Sequence, residues 1–126
     1  MADNKGYITS NDEKGSINIS EEVLATIAAV AAAEVEGVHG PFISHGKEIT
    51  SMLGRRGLAK GVKLTIDGSD MIIDIGIIAE IGFSVSEVAM NVQKAVMSAV
   101  EDAAGISVSA VNVSICGVAL KKKQKG

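Results

Sequence analysis

Aromatic residues are nearly missing from this 126-residue chain: Tyr7, Phe42 and Phe83 are all it has, and it contains no tryptophan. Proteins that read single-stranded nucleic acid stack bases on aromatic side chains, so their scarcity weighs against that class. Cysteine occurs once, at Cys116, which rules out an intrachain disulfide framework and suits a reducing compartment. Proline also occurs once, at Pro41. The longest apolar run, Val23 to Ala33, has 11 residues and is interrupted by Thr26. A membrane-spanning helix takes about 20. The first fifteen residues are polar, so no signal peptide or span is expected.

What remains is rich in small and branched aliphatic residues. Hydrophobic residues make up 47% of the chain and charged residues 21%, the balance of one globular domain with a core of Ile, Val, Leu and Ala. The net charge of −3 conceals two basic patches. The stretch from Lys47 to Lys63 carries five basic residues against Glu48, and the tail adds Lys121, Lys122, Lys123 and Lys125. Such patches suit an anionic surface or partner, while a short lysine tail also serves solubility.

Local patterns set out an order of elements. Residues 1–14 read as a loose polar arm, and Ile17 and Ile19 alternate with polar neighbours as a short strand. Ser20 is placed to cap a helix whose first turn holds Glu21 and Glu22. An apolar stripe of Val23, Ile27, Val30 or Ala31, and Val35 is expected to face the core. Residues 38–60, with four glycines and the proline, read as a long irregular loop. Two strands then meet around Asp67-Gly68, a hairpin signal. On the return strand Met71, Ile73, Ile75, Ile77, Ala79 and Ile81 form the core face, leaving Ile72 and Ile78 on the other. Ser84, Val85, Ser86 and Glu87 form a capping box flanked by Phe83 and Val88, and open a helix that ends at Gly105. A last strand turns Val111, Val113 and Ile115 inward. The order β-α-β-β-α-β predicts an α+β fold, with two helices on one face of a mainly antiparallel, ferredoxin-like sheet. The domain is expected over 15–120, followed by a basic tail at 121–126.

Several phrases in fixed order resemble the alkaline-shock and general-stress protein family of Gram-positive bacteria (the Gls type). They are Ile19-Ser20-Glu21-Glu22-Val23, Glu34-Val35-Glu36-Gly37-Val38, Lys60-Gly61-Val62-Lys63-Leu64 and Ile73-Asp74-Ile75. The series continues from Val88-Ala89 through Val92-Gln93 to Val96 and Val100-Glu101, then Gly105-Ile106, Val111-Asn112-Val113 and Gly117-Val118. The resemblance covers about residues 15–120. It implies stress response and upkeep of the cell envelope without catalysis, self-association, a cytoplasmic location, and for some members attachment through a membrane-anchored partner. Three positions depart from the family pattern: Ile81 stands where a tyrosine is common, Ser86 where proline is, and Ser114 where histidine is.

Chemistry-bearing constellations are few. His39 and His45, with Glu36 and Glu48 near them, match no standard ligand spacing, so loop histidines are the simpler reading and no metal or cofactor is expected. Gly54-Arg55-Arg56-Gly57 could grip an oxyanion but is not a nucleotide-binding loop. Cys116 has no histidine near it in sequence, and no serine sits in a nucleophile elbow, so no enzyme is expected. The candidate contact residues are therefore Arg55, Arg56, Lys60 and Lys63 in the basic segment and Ile72 and Ile78 on the outer sheet face. The favoured function is a self-associating scaffold at the cytoplasmic side of the envelope. The alternative is a module binding an anionic ligand or nucleic acid through residues 47–63.

Overall fold

The computed structural model describes residues 7–42, 61–67 and 70–120. The expected string is present as β2 (Gly15–Ser20), α1 (Glu21–Ala33), β4 (Val62–Asp67), β5 (Asp70–Glu80), α2 (Val85–Ala104) and β6 (Ala110–Ala119), joined by β1 (Tyr7–Asp12) and β3 (Val38–Pro41).

β1 corrects the expectation of a loose arm over 1–14: it pairs antiparallel with β2 from Tyr7↔Ser20 to Asp12↔Gly15. Gly15, at φ 131°, lies where the chain re-enters the ladder, a conformation that glycine adopts freely. On one face of the hairpin the Thr9 hydroxyl donates to Asn18 Oδ1 at 2.7 Å. From Thr9 to Asp12 the first strand is wholly polar, so an apolar alternation could not reveal it. It forms a sheet of its own, and its place in the main sheet is taken by β3.

The main sheet is built on β5. Along one edge of β5 lie β4 and β3 end to end, both antiparallel: β4 pairs with residues 70–75, and β3 with 77–79. Along the other edge runs β6, in parallel, from Ile72↔Ala110 to Glu80↔Ala119. A parallel neighbour requires a crossover, and α2 supplies it. The fold is thus α+β, with two helices on one face of a mainly antiparallel sheet and a strand order of its own.

The core lies between that face and the helices. Met71, Ile73, Ile75, Ile77 and Ala79 of β5 are buried as the alternation requires, whereas Ile81, beyond the strand's end, is exposed. On α2 the buried residues are Val88, Val92, Val96 and Val100, one per turn. The Ser84 hydroxyl accepts from the Glu87 amide at 3.4 Å, closing the N-terminus as its capping box predicts. Gly105, at φ 72°, closes the other end, its amide donating to the Glu101 carbonyl at 2.8 Å.

The stripe expected on α1 is rotated. Leu24, Ala25, Ala28, Ala29 and Ala32 are buried, while Val23 and Val30 are 48% and 40% exposed. Ile27, Ala31 and Val35 flank the core. α1 meets α2 as well as β3 and β4, so its closest approach is made by alanines, whose small side chains let the backbones come together. Hydrophobicity alone favoured the valines; proximity selected the alanines.

A candidate interaction surface on the outer sheet face

Alternation that buries one face of β5 turns Ile72, Asp74, Gly76, Ile78 and Glu80 to the opposite side. Gly76 is the break in this row. The Phe42 amide donates to its carbonyl at 2.9 Å, and its own amide donates to the Gly61 carbonyl at 3.3 Å. A Cβ placed at Gly76 would stand 3.1 Å from Cys116 Sγ and 3.4 Å from the Phe42 Cβ. The absent side chain therefore lets the Phe42 ring and the Cys116 thiol approach each other across the strand. They border a shallow depression of about 310 Å³ whose other walls include Lys63, Asp74 and Ser114.

The polar groups around the depression are tied in place. Asn112 Nδ2 donates to Asp74 Oδ1 at 2.9 Å across β5 and β6, and Lys63 is the register partner of Asp74 on β4. The Cys116 thiol donates to the Ser114 carbonyl at 3.7 Å. Cys116 is also the one extra residue of β6, let in between Ile115, which pairs with Ile77, and Gly117, which pairs with Ile78. The depression is open and mixed in polarity.

Of the expected contact residues, Lys63 is exposed at the rim of this depression. Ile72 and Ile78 are half-buried on the same face, one toward each end of β5, with Asp74 and Gly76 between them. Arg55, Arg56 and Lys60 lie outside the described residues, as do His45, Glu48, most of the 38–60 segment and the 121–126 tail. His39 falls on β3, at the irregularity between Val38 and Gly40. Its Nδ1 is buried without a hydrogen-bond partner, 3.8 Å from Glu80 Oε2. Among the described residues no three His, Cys, Asp or Glu side chains come together as a metal site. Phe42 and Gly76 were missed as site residues. A glycine inside a strand that otherwise alternates is a sign of close approach, and Gly76 carried that sign.

Two helices on one side of a sheet, with the other side open around a glycine gap, define a two-layer α+β domain. The chain belongs to the alkaline shock protein 23 family, described by its cell envelope-related function; the family model matches residues 9–120. The uncharacterised protein Spy1535 of Streptococcus pyogenes serotype M6 is 38% identical over 112 residues, 88% of this chain and 84% of that protein. The uncharacterised protein YloU of Bacillus subtilis is 35% identical over 106 residues, 82% of this chain and 88% of that protein. Among solved structures, the copper form of the MamM CTD overlaps with a TM-score of 0.48 at 19% identity, covering 84% of this chain and 92% of that one. Among the described residues, no helix is long and apolar enough to cross a membrane.

Proposed function

We propose that this domain is a non-catalytic stress-response module that works at the cytoplasmic side of the cell envelope by associating with copies of itself and with an envelope-anchored partner. One observation carries the reading. The outer face of the main sheet holds Ile72 and Ile78 and, bordered by Phe42, an open depression, and among the described residues no second layer of chain covers it. A sheet that presents apolar side chains on the side away from its own core is a surface suited to a partner. The chemistry on that face favours docking over turnover: its one thiol bonds to a backbone carbonyl, and its one carboxylate at the depression is held by Asn112. Under the alternative reading, an anionic ligand or nucleic acid would meet the basic 47–63 segment. The described part of that segment is Gly61, Val62 and Lys63, and its one base, Lys63, stands opposite Asp74.

Light scattering across a concentration series of the full chain tests the reading. Oligomers that grow in with concentration at micromolar levels are the expected result. A strict monomer at several hundred micromolar would sink it.

A further inference from the structure

The two edges of the main sheet are unlike. The β3/β4 edge is made of a four-residue and a six-residue strand, and it carries Pro41, Lys63 and Asp67. Short strands, charges and proline are the usual means by which an edge is kept from pairing. The opposite edge is β6, ten residues long with the sequence AVNVSICGVA, which has no charge and no proline. β6 pairs with β5 on one side, and among the described residues no strand pairs with its other side. From these facts we infer that the β6 edge is the homotypic contact: two copies join β6 to β6, antiparallel about a two-fold axis, and extend the sheet across both. This rests on the self-association proposed above and assigns it a surface, leaving the open face for the partner.

Three observations select a second copy as the occupant. First, the strand is neutral, so self-pairing sets no like charges against each other. Second, the bulge at Cys116 leaves 110–115 as the regular stretch. The Ser109 amide donates to the Met71 carbonyl, so odd positions face β5 and even ones the free edge, and the axis falls at Asn112, which pairs with its own copy. An axis there sets the two α2 helices antiparallel, side by side across the seam. The flank of α2 beside β6 is fixed by two bonds: Gln93 Nε2 donates to the Val111 carbonyl at 3.0 Å, and Glu101 Oε2 accepts from the Val108 amide at 2.8 Å. Helical spacing puts Met90 and Met97 on this same flank, and Met90 is 51% exposed although large and apolar. A groove of about 410 Å³ runs between that flank and β6, bordered by Gln93, Lys94, Met97 and Val111. Third, the charges match. With Gln93 level with Val111, Met90 stands close to the axis. In an antiparallel helix pair centred there, Lys94, four residues to one side, meets Glu87 of the other copy, three residues to the other side. The axis makes this exchange twice, and both residues are exposed.

Sedimentation velocity on the full chain tests the contact. Lys94→Glu sets acid against acid twice and should weaken dimerisation about tenfold or more, given roughly 0.5 kcal/mol for each attraction lost and each repulsion gained. Adding Glu87→Lys to the same chain should restore it. In a Cys116→Ser background, Met90→Cys should form a disulfide-linked dimer on mild oxidation, while Thr65→Cys on β4 should not. If the wild type associates but Lys94→Glu does not weaken it, or Met90→Cys links no faster than Thr65→Cys, the β6 surface is wrong although the module still self-associates. A monomeric wild type overturns both.

Discussion

Gly37 sits where α1 hands over to β3, at φ 96°, and its carbonyl accepts from the Glu80 amide at 2.8 Å. A Cβ there would lie 2.6 Å from Val88 Cγ2 and 3.0 Å from the Phe83 ring. Val88 is buried in the first turn of α2, so the ring and the methyl cannot both withdraw without opening the core. Gly37→Ala therefore meets two separate penalties. The backbone conformation, disfavoured for a residue with a Cβ, costs about 1–2 kcal/mol. The overlap with Val88 and Phe83 adds about 1–3 kcal/mol as overpacking. Gly82 supplies the matched control: its φ is 107°, and nothing lies within 4 Å of a Cβ built on it. Gly82→Ala should thus lose the backbone term alone. Urea denaturation followed by far-ultraviolet circular dichroism, at one fixed protein concentration because association shifts apparent stability, should rank wild type above Gly82→Ala and Gly82→Ala above Gly37→Ala. The gap between the two variants should be about 2 kcal/mol, or roughly 6–10 °C in melting temperature for a domain of this size. Equal losses would refute the claim that Gly37 is reserved for the close approach of α2.

Two further substitutions probe how the layers are joined. Leu24→Ala should cost about 2–5 kcal/mol as a cavity in the core, while Val23→Ala, one position along α1, should cost less than about 1 kcal/mol; the reverse order in thermal melts would restore the valine stripe as the buried face. Glu101→Ala removes the carboxylate that holds the Val108 amide ahead of β6 and should cost about 1–3 kcal/mol, with hydrogen exchange accelerated at Val108 before any change at Val96. Uniform acceleration across α2 would count against a local role.

The face of the sheet was readable because period-two alternation on β5 is unbroken over 71–79, and a one-residue slip would have exposed every isoleucine it buries. The site on the reverse of that face was half readable. Ile72, Ile78 and Lys63 follow from alternation, whereas Phe42 reaches Gly76 only because β3 is laid along the far half of β5. Nothing in the sequence of Val38–Pro41, which contains a glycine and a proline, marks it as a strand; it becomes one because β5 is five residues longer than β4 and needs a partner there.

The sequence by itself determined the two helix starts, through Ser20 and Ser84, the end of α2 at Gly105, the core face of β5 and the valine seam of α2. Each is a local property, set by hydrogen bonds or side-chain directions within a few residues. Tertiary structure alone decided which side of α1 is buried, that β6 lies parallel beside β5 rather than elsewhere in the sheet, and that Cys116, Gly76 and Phe42 meet. Those outcomes depend on how closely whole elements can approach and on which backbone groups remain to be paired, and neither quantity exists until the layers are assembled.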